Sequence, residues 1–172
     1  MSKPLEEIER ELSEAEPITV EEKGFNFISV VLGYIVWLIL FLGITIYTTP
    51  DGLSNITGTF TEVVAALPVQ GYIIINYILA KEYVTAAEIG LPLLISGLVI
   101  GILAGSANDG ILAGALTWVL GFIIGFIVGV AYLPSISTET ILSLLISNLN
   151  DSLFIDPVAL VIFGAIGGAV RR

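Results

Sequence analysis

Glu62, Glu82 and Glu88 bracket an uncharged run, Val63 to Ala80, that Pro68, Gln70, Gly71 and Asn76 interrupt. Three carboxylates around a broken apolar segment are candidates for ion chemistry. If the segment is re-entrant, they form an acidic pore mouth that attracts cations. The plainer alternative has them marking a lipid boundary. Asp109 and Asp156 stand near expected helix ends and read as a turn residue and as an N-cap before Pro157. Elsewhere the apolar spans hold only Asn26, Ser29, Thr45, Ser96 and Thr117 as polar groups. Coupled transporters and pumps usually bind their ion at an ionisable residue within the bilayer, whereas a lone hydroxyl usually bonds a helical carbonyl one turn back.

Histidine and cysteine are both absent, which removes the usual ligands of zinc, haem and iron–sulfur clusters and the commonest general base. No catalytic, cofactor-binding or metal-binding residue is assigned, and an enzyme is not expected. The chain has no P-loop and no dinucleotide fingerprint. Its net charge of −10 argues against nucleic acid as a partner.

The elements that would position these groups follow from composition. Of 172 residues, 56% are hydrophobic and 13% charged, about half the charged share of a soluble domain. Uncharged stretches run for 27 residues between Lys23 and Asp51, 20 between Glu88 and Asp109, and 29 between Asp109 and Glu139. At about 1.5 Å per helical residue, each can cross a hydrocarbon core of about 30 Å. The expected fold is an all-α membrane protein with about four transmembrane helices, spanning about 25–47, 89–107, 111–133 and 153–170. Residues 60–88 are expected to be interfacial or re-entrant, though a crossing helix is possible and YIIINYI also suits a short strand. Residues 138–152 suit an amphipathic surface helix. Trp37 lies mid-span, not at an interface.

The most regular feature is GLVIGILAGSANDGILAGALTWVLGFIIGFIVG, residues 97–129. Gly97, Gly101 and Gly105 fall on one helix face, and Gly121, Gly125 and Gly129 do so on a second arm beyond the SANDG turn. GILAG recurs from Gly110 and adds Gly114. In lipid, helices associate by close van der Waals contact that small residues permit, so the pattern predicts a glycine-zipper hairpin. Folding about Asp109 sets Gly97 level with Gly121, Gly101 with Thr117 and Gly105 with Ala113. Thr117 is then placed to hydrogen bond across the seam. Gly125 and Gly129 are left over as a face for another helix or a second copy. The two arms also resemble a minimal inverted repeat.

Residues 1–24 are expected to form a separate acidic helix, with eight acids and three bases and a narrow apolar stripe at Leu5, Ile8, Leu12 and Ala15. No cleavable signal peptide is legible. With four crossings, Lys3, Arg10, Lys23, Arg171 and Arg172 share one side and Lys81 takes the other, so positive-inside counting places the N-terminus in the cytoplasm of a multi-pass cell-membrane protein. Both N-x-S/T sequons, at Asn55 and Asn150, then lie outside. One methionine, no cysteine and 26 isoleucines suggest a thermophile or an archaeon.

The G-x-x-x-G arms around a short Asn/Asp/Gly turn resemble those of small glycine-rich archaeal polytopic membrane proteins grouped as domains of unknown function. The resemblance covers residues 90–132 and implies no activity. The surplus glycine face, the acidic helix and the lack of catalytic groups lead to a non-catalytic reading. In it the protein works in the lipid bilayer by helix association, as an accessory or scaffold subunit with other membrane subunits or with itself as a homo-oligomer. The alternative is a small homo-oligomeric channel or transporter with Glu62, Glu82 and Glu88 at its mouth.

Overall fold

Asn26 starts the first helix by offering both of its oxygens. Its side-chain Oδ1 accepts from the Ile28 N–H at 3.1 Å, and its carbonyl accepts from the Ser29 N–H at 3.1 Å, which satisfies donors that a helix start leaves free. The computed structural model describes residues 25–48, 56–132 and 155–171. The expected acidic helix at 1–24, the surface helix at 138–152 and both sequon asparagines lie outside these residues.

Among the described residues there are six α-helices and no strand: α1 Phe27–Thr48, α2 Ile56–Ala66, α3 Gln70–Leu79, α4 Tyr83–Ala104, α5 Ala107–Tyr132 and α6 Ile155–Val170, with a 3-10 turn, Leu67–Val69, joining α2 to α3. YIIINYI is therefore helical. α1, α4 and α5 are long and apolar enough to cross a membrane, which marks a multi-pass membrane protein.

The helices are inverted with respect to a soluble core. On α5 the buried residues are Gly110, Ala113, Gly114, Thr117, Gly121, Gly125 and Gly129, while Ile111, Val119, Ile123 and Ile127 point outward. In water this arrangement would forfeit the hydrophobic effect. In hydrocarbon, outward-facing isoleucines cost nothing, and the small face lets backbones meet.

The turn between α4 and α5 is shorter than the SANDG reading implies. Gly105 takes the left-handed conformation at φ 84°, which glycine adopts without strain, and its N–H bonds the Gly101 carbonyl at 3.0 Å. Ser106 then caps α5: its Oγ accepts from the Asp109 N–H at 3.1 Å and donates to Asp109 Oδ2 at 2.7 Å. Asp109 thus sits in the first turn of α5, where an acid favours the helix start.

The expected seam between the two glycine arms is corrected by α6, which packs along both. A methyl group on Gly97 would meet Phe163 and Leu160; on Gly101, the backbone of Gly164 and Gly168; on Gly110 and Gly114, the backbone of Gly164 and Leu160. Gly167 and Gly168 in turn face the backbones of Leu98 and Ser106. The α4–α6 and α5–α6 contacts are each more extensive than the α4–α5 contact. The arms approach each other near the turn, where Gly110 faces Gly101. The physical reason is that α6 carries its own small-residue face, and a helix seated in the groove buries two glycine faces at once. Its Arg171 closes the end of that groove by donating to the Ile102 carbonyl at 2.7 Å.

The second half of the α5 glycine face is also covered from within the chain. Gly121 faces Trp37 and Tyr34 of α1, Gly125 faces the Val64 carbonyl and Pro68, and Gly129 faces Ala65. Thr117 bonds the Val30 carbonyl of α1 at 3.3 Å, and not the α4 arm. Gly33 faces Ile100 and Thr117.

Candidate functional site

The segment from Ile56 to Leu79 carries its break deep into the helical bundle. α2 passes along α5 with Ala65 at Gly129 and Pro68 at Gly125, so it moves away from the Tyr132 end of α5 as it advances. Pro68 lacks an N–H and suits the start of the 3-10 turn. α3 then returns beside the first turns of α4. Gln70 meets Ile89, Ile74 meets Gly90, and Ile78 and Tyr83 line one cavity. A tight return joins the two helices: Lys81, at φ 64°, lets its N–H bond the Ile78 carbonyl at 3.0 Å while the Glu82 N–H bonds the Tyr77 carbonyl at 2.8 Å.

At the deepest point lies a polar cluster. Gln70 is fully buried. Its Oε1 accepts from Trp37 Nε1 at 2.6 Å, and its Nε2 donates to the Ile89 carbonyl. Trp37 lies at the middle of α1, which explains a mid-span tryptophan: its indole N–H has a buried partner there. Ile89 stands three residues before Pro92, which lies inside α4. A proline ring disturbs the helical ladder of the preceding turn, where a polar side chain from a neighbour is accommodated. Ser96 bonds the Pro92 carbonyl at 2.6 Å, the local bond expected of a lone hydroxyl.

Asp156 of α6 meets the next residue along α3, Gly71. Asp156 is buried in the first turn of α6, 1% exposed. The Gly71 backbone N–H donates to its carboxylate, and its Oδ1 has no hydrogen-bond partner. A methyl group on Gly71 would come within 2.9 Å of Oδ1 and within 2.9 Å of Ile155 Cβ, so glycine is what lets the two helix starts meet. Burial opposes the carboxylate's charge, while N–H groups at the starts of α3 and α6 favour it. Among the described residues the arrangement is one buried carboxylate held between two helix starts, beside a broken helix and a proline-bearing one.

The expected acidic mouth is only partly assembled. Glu62 lines a cavity of about 270 Å³ with Thr45, Thr48, Ile73 and Ile89, and Glu82 lines a second of about 350 Å³ with Ile73, Asn76 and Tyr77. Both cavities share Ile73, and the first reaches Ile89, whose carbonyl Gln70 holds. Glu88 is exposed and lines neither. Among the described residues no three His, Cys, Asp or Glu side chains gather as a metal site.

Sequence reasoning did not single out Gln70 or Asp156 as functional. A signal for Asp156 was present. The last apolar run crosses fully if Leu153 to Ile155 are included or if its arginines snorkel, and the first of these places Asp156 inside the span, where an ionisable residue is a functional candidate by default.

No family model, no curated protein and no solved structure matches the chain. The functional reading therefore rests on the Asp156 site itself.

Proposed function

We propose that the protein is a small membrane transport protein that handles a cation at Asp156, with the break at Leu67–Gly71 as its working centre. The observation that carries this reading is the buried, partly unsatisfied carboxylate of Asp156 between two helix starts. Buried charge is costly in hydrocarbon and is retained where an ion or proton must be handled. Discontinuous helices at mid-depth are the usual frame of transporter sites. The cavity lined by Glu62 and Thr48 reaches Ile89, whose carbonyl Gln70 holds, and a separate apolar cavity reaches Ile155 beside Asp156.

In this reading α1, α4, α5 and α6 cross the bilayer and Ile56–Leu79 is re-entrant, so that both described ends of the chain lie on the cytoplasmic side. The accessory-subunit reading loses one of its three motives, the surplus glycine face, because Gly125 and Gly129 are covered by Val64, Pro68 and Ala65 of the same chain.

Topology is testable directly, since the chain has no native cysteine. Single cysteines at the exposed positions Thr57 and Lys81 are expected to react with an impermeant thiol reagent from one side of the membrane, and a cysteine at Asn108 from the other. Labelling of Thr57 and Lys81 positions from opposite sides would show that the segment crosses. The functional test is reconstitution into liposomes under an imposed cation gradient. Protein-dependent dissipation of the gradient is expected; vesicles as tight as empty ones would refute the transport reading.

A further inference from the structure

We infer that the cation taken up by Asp156 is a proton and not a metal ion. This deepens the transport reading and rests on it for its purpose, but it concerns a binding event that stands or falls without any flux.

A metal cation gives up its water only where several oxygens replace it. One residue before Gly71, Gln70 Oε1 already accepts from Trp37 Nε1, and the Ile89 carbonyl already accepts from Gln70 Nε2. Gly71, the nearest backbone, presents an N–H to the carboxylate, and a hydrogen-bond donor repels a cation. Among the described side chains, Oδ1 of Asp156 is the buried oxygen left without a partner. One free oxygen cannot build a coordination shell, but it is sufficient to bind one proton. A hydronium ion gives up its proton to Oδ1, an O–H bond forms as water leaves, the carboxylate charge is cancelled, and no electron changes hands.

Among the described residues, no other titratable side chain is placed to share that proton. The titratable side chains described on the helices packed against α6 are Tyr83 and Glu88 of α4, Asp109 and Tyr132 of α5, and Tyr77 of α3. Tyr83, Glu88 and Tyr132 are exposed, Tyr77 opens on the cavity of Glu82, and Asp109 bonds Ser106 at the opposite end of α5. Arg171, on α6's own far end, bonds Ile102. α1 contributes Tyr34 and Tyr47; Tyr34 packs toward Gly121, and Tyr47 is exposed. Among the described residues the site therefore holds one titratable side chain, Asp156.

The experiment is infrared difference spectroscopy of the full chain in liposomes, taken across a pH series with sodium or potassium added at fixed pH. A protonated-carboxyl band that grows as pH falls, disappears in Asp156→Asn, shifts in Asp156→Glu and ignores both salts is expected. A band erased by sodium or potassium at constant pH would overturn the proposal in favour of a metal ion. Absence of any Asp156-dependent band throughout the series would overturn it as well. Flux failing while the titrating band persists would refute the transport reading alone.

Discussion

Gly101→Ala is expected to be the most damaging single methyl group in the chain, and Gly43→Ala among the least. The added carbon at Gly101 falls on the backbone of Gly164 and Gly168, atoms that no rotamer change can move aside. α6 must then back out of the groove between α4 and α5, losing packing along both of its interfaces. Overpacking of this kind costs about 3 kcal/mol, a large share of the stability of a domain this size. Gly43 has no heavy atom within 4 Å of the same added carbon, so alanine there gains up to about 1 kcal/mol of helix propensity. Unfolding by a denaturing detergent reads both. A midpoint for Gly101→Ala equal to that of Gly43→Ala would mean that α6 does not occupy the groove.

Asp156→Asn is expected to separate function from stability. Asparagine nearly matches the aspartate in size, can still accept from the Gly71 N–H, and removes a buried charge whose desolvation is costly. Its unfolding midpoint is expected to equal or exceed that of the wild type. Transport, which needs a group that can gain and lose charge, is expected to fall at least tenfold, to the level of empty vesicles. Asparagine at wild-type rate would remove Asp156 from the mechanism. A chain that unfolds on this substitution would instead make the carboxylate a structural cap of α3.

The long helices α1, α4 and α5 were legible because uncharged stretches of that length have few other solutions. Most of the expected glycines lie against neighbouring helices, but Gly105 does not act as a packing residue: it ends α4 in the left-handed conformation. Which glycine meets which was not legible: α4, α5 and α6 all carry small residues at helical spacing, and the sequence does not rank the pairings. α6 wins both grooves because Gly164, Gly167 and Gly168 let backbones touch on two sides. The segment from Ile56 to Leu79 was recognisable as broken from Pro68, Gln70 and Gly71. Its depth was not, because that depends on Gly125 making room for Val64 and Pro68, a contact between residues far apart in the chain. Asp156 was read as a cap because Pro157 follows it. A local motif explained the residue well enough to hide its burial.

The most direct test of Asp156 as the membrane-buried working group uses a hydrophobic carbodiimide, which reacts with protonated carboxyls in apolar surroundings. Proteoliposomes are treated at low pH, flux is recorded, and the modified residue among the 16 acids is located by mass spectrometry of the digested chain. The account predicts one adduct, on Asp156, formed in step with the loss of flux. Full modification of Asp156 with flux unchanged, or loss of flux with the adduct on Glu62, Glu82 or Glu88, would contradict it.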